Sequence, residues 1–200
     1  MQTEKIMGPH SKTVRHGSWL HRHAANILAG LALAGFAAPA AAATQGTIGA
    51  TSQGSITITA TVPNRAHITG LTDINFTNAD PTSNAVSSQN DCVWSNTATK
   101  GYSIKATGSG TAGAFTLASG ALAPVPYSVQ WNQSSGQSAG TALVADTPLS
   151  GLVSTATTPT CSSGPASTSS LIVSIASSDL QTMVAATSYT GTLTLLVTPQ

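Results

Sequence analysis

The stretch GSITITATVPNRAHITG, residues 54–70, decides how this chain is read. Its first half alternates without a slip. Ile56, Ile58, Ala60 and Val62 fall on one side, and Ser55, Thr57, Thr59 and Thr61 on the other. Strict alternation over this length is the pattern of a half-buried β-strand. Pro63 ends it, because proline has no N–H to give to a ladder. Asn64-Arg65-Ala66 makes a polar break before the next apolar run. Ahead of the strand, Thr44 to Gln53 is polar, with Ile48 its one large apolar residue. A regular strand on a polar tether either completes this chain's own core or is offered to another molecule.

Residues 1–26 are basic, with Lys5, Lys12, Arg15 and Arg22 against Glu4. An uncharged apolar run follows from Ile27 to Phe36, and then Pro39 and an alanine string ending at Ala43. A basic start, a short apolar centre and an A-x-A end are the parts of a secretory signal peptide. The apolar run is too short for a membrane span. Residues 1–43 are therefore expected to be a removed leader, and Met7 offers an alternative start. Residues 44–63 are expected to be an N-terminal extension, and 64–200 one domain.

Beyond Ala43 the chain keeps three basic residues (Arg65, Lys100, Lys105) and five acids, all Asp, for a net charge of about −2. That balance has no basic patch for nucleic acid and no polybasic membrane segment. Only 6% of the whole chain is charged and 40% is hydrophobic, which is not the composition of a disordered chain. The polar residues are mostly Ser and Thr, and Thr favours strands. Cys92 and Cys161 are the only cysteines, and in an exported protein they are expected to pair. The loop so closed is worth roughly 4 kcal/mol. A metal site would need more ligands than these two and His67 supply, so no metal or cofactor is expected.

Short strand-like runs continue to the end. Ile68–Phe76 is one, interrupted near Gly70. Cys92–Ser95 and Gly101–Thr107 look like a pair joined by the polar turn 96–100. Ala114–Ala118 is short. Val125, Tyr127, Val129 and Trp131 alternate to one face. Thr141–Leu149 is weaker, and Leu171–Ala176 is apolar and β-branched. In Tyr189–Thr198, Leu193, Leu195 and Val197 alternate against Thr192 and Thr194. Leu180–Ala186 fits a helical turn or a strand. Many short strands with Gly/Pro/Ser/Asn punctuation predict an all-β sandwich. The last strand runs almost to Gln200, so the expected domain has no further strand after it.

Chemistry is sparse. The expected mature chain has no Glu and one histidine (His67). His67 lies in or beside a strand, where a structural histidine is the common outcome. Trp94, Trp131 and Tyr127 have the faces to stack on a sugar, but aromatics in a sandwich usually fill the core. The chain is not expected to be an enzyme.

The segments SITITATVPNRAHITGLTDINF, DCVWSN, GYSIKATGSG, PYSVQW and YTGTLTLLVTP together resemble subunits of bacterial chaperone–usher pili. The resemblance is to alpha-type, colonisation-factor-like pilins and to the related spore coat protein U-like domains, and it spans most of residues 54–199. Spore-coat-type members usually carry a cysteine soon after the ATV segment. Here that region reads Asn64-Arg65-Ala66-His67, without one. The resemblance implies an incomplete immunoglobulin-like β-sandwich with an N-terminal donor strand. It implies a periplasmic chaperone, an outer-membrane usher and a head-to-tail polymer of identical or related subunits at the cell surface. Ile56, Ile58, Ala60 and Val62 then match the donor strand, and Leu193, Leu195 and Val197 the strand that borders the acceptor groove. A tip adhesin would bring a second domain, so a shaft subunit is favoured. The alternatives are a self-complete secreted sandwich that binds a ligand such as a glycan, and, last, a hydrolase using His67.

Overall fold

β-Branched and aromatic residues at period two give this chain strands rather than helices. The structure, a computed structural model, describes residues 42–200. The expected leader lies outside them except for its last two alanines. The chain divides at Thr59/Ala60 into two units. In the described part of the first, Thr44 and Ser55 exchange two backbone hydrogen bonds of 2.9 Å.

The second unit is all-β. Its strands are β1 (Ala66–Thr69), β2 (Ala85–Ser95), β3 (Gly101–Gly108), β4 (Thr116–Leu117), β5 (Val125–Pro126), β6 (Ser128–Asn132), β7 (Thr141–Ala142), β8 (Leu149–Val153), β9 (Ser169–Ile175) and β10 (Leu193–Pro199). One helical turn, α1 (Ser177–Leu180), precedes β10. All pairings are antiparallel. One sheet has the order β1-β2-β9-β6-β7, a second β10-β3-β8, and β4 pairs with β5.

The two larger sheets share one core, which makes the unit a sandwich. Val93, Val129, Trp131, Leu171 and Val173 come from the first sheet, and Tyr102, Ile104 and Ala106 from the second. Trp131 Nε1 donates to Tyr102 Oη across the layers at 3.1 Å, so the buried indole N–H is satisfied. A second cluster, Val125, Ile175 and Leu180 with Phe76, Met183 and Tyr189 around it, closes one end under α1.

Two expectations are corrected. The turn 96–100 does not join a hairpin. β2 pairs with β1 and β9 while β3 pairs with β10 and β8, so the chain changes sheets there. The Gly-rich run 108–113, flanked by strand-like runs in the sequence and so expected as a hairpin turn, instead holds a 3-10 turn at Thr111–Gly113 and leads from β3 to the separate β4–β5 pair. The apolar patch after Leu180 opens as a helical turn, not a strand. Gly70 breaks the Ile68–Phe76 run as expected. Its φ of +87° suits glycine, and it turns the chain off β2 beside Asn90 and Asp91.

β9 ends its pairing with β2 at Asp91↔Ser169. Beyond that point side chains take over. Thr168 Oγ1 accepts from Val93 N at 2.9 Å and donates to Val93 O at 3.0 Å, and Ser154 Oγ also donates to Val93 O. The Cys92–Cys161 disulfide ties the loop before β9 to the outer face of β2 and packs with Ala156 and Trp94. It closes a loop across a sequence separation of 69 residues. Replacing both cysteines by Ala should lower the unfolding free energy by about 4 kcal/mol in urea titration; a loss below about 1 kcal/mol would contradict a structural role.

Candidate functional site

Between β1 and β10 the sandwich has a seam at which apolar side chains stay half-covered. Among the described residues β10 is an edge strand, paired only with β3, and β1 is an edge strand, paired only with β2. The two edges approach until Cα atoms come within 8 Å, but they share no ladder. Along β10, Leu193, Leu195 and Val197 face inward, while Thr194, Leu196 and Thr198 face out. The inward three lie against the main core but are only partly buried.

The neighbouring strand shows that the cause is position, not residue type. Leu195 is registered with Ala106 and Val197 with Ile104, and both β3 partners are 0% exposed. The same layer is sealed one strand further in. Ile68 of β1, across the seam, and Ile74 and Phe76 in the segment after β1 are also half-buried against this core. An open strand edge over apolar side chains invites another strand, because it presents unpaired N–H and C=O groups as well as an apolar floor.

The expected donor residues lie outside any strand. Ile56, Ile58 and Val62 are 74%, 85% and 76% exposed, and Ala60 is exposed too. Residues 56–64 take part in no ladder among the described residues.

The aromatic residues considered for sugar stacking are engaged elsewhere. Trp131 is in the core, Trp94 packs on the disulfide, and Tyr127 stacks on Phe115 with ring centroids 5.7 Å apart. His67 Nδ1 lies 2.9 Å from the carbonyl oxygen of Pro159, so it ties β1 to the disulfide loop. No group of three or more His, Cys, Asp or Glu gathers as a metal site among the described residues.

One ionisable group was hidden within a polar run. Asp91 is 0% exposed, facing inward on β2 two residues before Val93. Its backbone oxygen accepts from Thr168 N and Ser169 Oγ, but neither carboxyl oxygen has a hydrogen-bond partner among the described residues. Burial pushes its pKa up to about 7, and the Leu171 backbone N–H, too poorly placed to bond, opposes this only in part. Nothing in SSQND distinguishes this Asp from a solvated one.

No protein-family model matches this chain, and no curated protein matches it.

Asp91 makes stability fall with pH. The native carboxyl keeps its proton up to about pH 7, whereas an ordinary Asp releases it near 3.8. Between those values the native state binds one proton more, so its stability drops as pH rises and levels off above the native pKa. Urea unfolding should show a loss of about 2–3 kcal/mol between pH 5 and pH 8. Asp91→Asn should flatten the profile over that range; an unchanged slope in the variant would assign it to another group.

Proposed function

We propose that this chain is a non-enzymatic structural subunit of a surface fibre, assembled by donating residues 54–62 to the open seam of a second copy. The observation that carries the proposal is the half-covered inward face of β10. Leu193, Leu195 and Val197 stand at an unpaired edge next to the fully sealed β3. The second support lies in the same chain. It holds an exposed segment with the matching alternation, apolar at Ile56, Ile58, Ala60 and Val62.

The match is one of physical kind. A strand laid along β10 would satisfy the free backbone groups and place alternate side chains over the seam. Burying Ile56, Ile58 and Val62 would each contribute roughly 1.5–3 kcal/mol, with Ala60 adding less. Cβ positions alternate along a strand, so a slip of one residue would present threonines instead and lose that gain. A strand paired to both edges needs them about 9.5 Å apart. Insertion therefore widens the seam where β1 and β10 are closest. Head-to-tail donation is a contact that does not close on itself, so it builds a filament.

On this reading the sandwich is the incomplete immunoglobulin-like domain that the pilin resemblance implies. An unassembled subunit is aggregation-prone and needs a periplasmic chaperone over the seam and an outer-membrane usher for export. The rival, a self-complete monomeric binding module, requires residues 54–62 to pair within their own chain.

The test compares the chain from Thr44 with a variant that begins at Pro63. The longer chain should form multimers that resist heating, and the shorter one should not. A synthetic peptide of residues 54–62, at 100 times its Kd, should stabilise the shorter form by about 2.7 kcal/mol. Multimers of equal size and heat resistance from the shorter form would sink the proposal.

A further inference from the structure

Strand donation poses a problem of competition, and the junction at residues 63–65 carries a device that answers it. A strand joined to its own domain by a short flexible link acts at an effective concentration near the millimolar range. A second copy at micromolar concentration would lose to it by on the order of 10²–10³-fold. A fibre subunit therefore needs a reason not to seal its own seam.

Chain geometry supplies half of that reason. Ala66 is registered with Ser95, next to the turn 96–100. The far end of β10 lies at the same pole, since Pro199 is registered with Tyr102 and Gln200 N donates to Gly101 O. Leu193, registered with Gly108, lies at the opposite pole. A strand running antiparallel to β10 along its whole length must bring Val62 to the Leu193 end. Seven residues of β10 span about 20 Å. Residues 63–65 let Val62 lie at most about 14 Å from Ala66. The antiparallel arrangement is out of reach within one chain.

The parallel arrangement is not excluded by length, because three residues suffice for a tight reversal that folds 54–62 back along β1. Asn96 opposes that reversal. Asn96 N donates to Arg65 O at 3.1 Å, continuing the β1–β2 ladder one step. Arg65 N donates to Asn96 Oδ1 at 2.6 Å, and Asn96 Nδ2 donates to Pro63 O at 2.9 Å. The side-chain amide thus takes two backbone groups two residues apart, as a peptide group of a neighbouring strand does. A reversal at residues 63–65 must break these bonds.

Building on the strand-donation reading, we propose that Asn96 is a positioning residue that clamps the Pro63–Arg65 tether and, with the tether's short length, commits the donor strand to a second copy of this chain. The clamp touches neither the donor side chains nor the seam. It acts on who receives the strand, not on how well the strand fits.

The test uses the whole exported chain and reads the partition between monomer and polymer by sedimentation, with a thermal melt of each fraction. Eight Gly/Ser residues inserted between Val62 and Pro63 leave donor, seam and clamp intact but free the strand to cross the domain. This variant should convert from polymer to a monomer that melts at least as high as the polymer's subunits. Asn96→Ala should shift the partition the same way to a smaller extent, and Asn96→Asp, which keeps the acceptor for Arg65 N, should fall between it and the wild type. A lengthened chain and an Asn96→Ala chain that both polymerise like the wild type overturn the clamp while leaving strand donation standing. A wild-type chain that stays monomeric overturns strand donation, and the clamp with it.

Discussion

The physical constraint on which the molecule turns is the cover over β10. A sandwich is sealed when every inward side chain has neighbours on all sides, and β3 meets that condition through Ile104 and Ala106. β10 does not, although Leu195 and Val197 sit directly beside those residues in the same sheet. What it lacks is a flanking strand. The disulfide and the Thr168 and Ser154 hydroxyls on Val93 fix β2, the strand that carries the β1 edge of that seam. The scaffold is held firmly where it is complete, which lets one edge remain open without the fold depending on it.

Buried polarity divides into two kinds here. Trp131 donates its buried indole N–H to Tyr102 Oη across the layers, so that donor costs the core little. Asp91 satisfies neither carboxyl oxygen and is kept neutral by its surroundings at acid pH. It sits on β2 beside the point where the chain turns off at Gly70, so the least satisfied group of the core lies behind the strand that bounds the seam. A core carrying such a group gives up stability near neutral pH.

Much of the architecture was legible in residue order. Val125, Val129 and Trp131 announce an inward face by period two, and all three are buried. The pairing of Cys92 with Cys161 followed from there being two cysteines in a chain expected to be exported. What escaped did so for physical reasons. β2 begins at Ala85, ahead of the strand expected at Cys92–Ser95, because VSSQND owes its strand character to pairing with β9, a tertiary effect. The turn 96–100 reads as a hairpin because local composition does not say whether the next strand returns to the same sheet or crosses to the other. Asn96 looked like an ordinary turn residue, and its bonds to Pro63 and Arg65 join positions more than thirty residues apart. The half-covered state of Leu193, Leu195 and Val197 is likewise a property of neighbours, although their alternation was plain.

The most direct measurement of the central claim is an electron cryomicroscopy map of the assembled fibre at side-chain resolution. The account predicts density for residues 54–62 of one subunit between β1 and β10 of the next, antiparallel to β10, with Ile56, Ile58 and Val62 directed inward and the two edges spread apart. A seam that is empty, or filled by the subunit's own N-terminal segment, would contradict it.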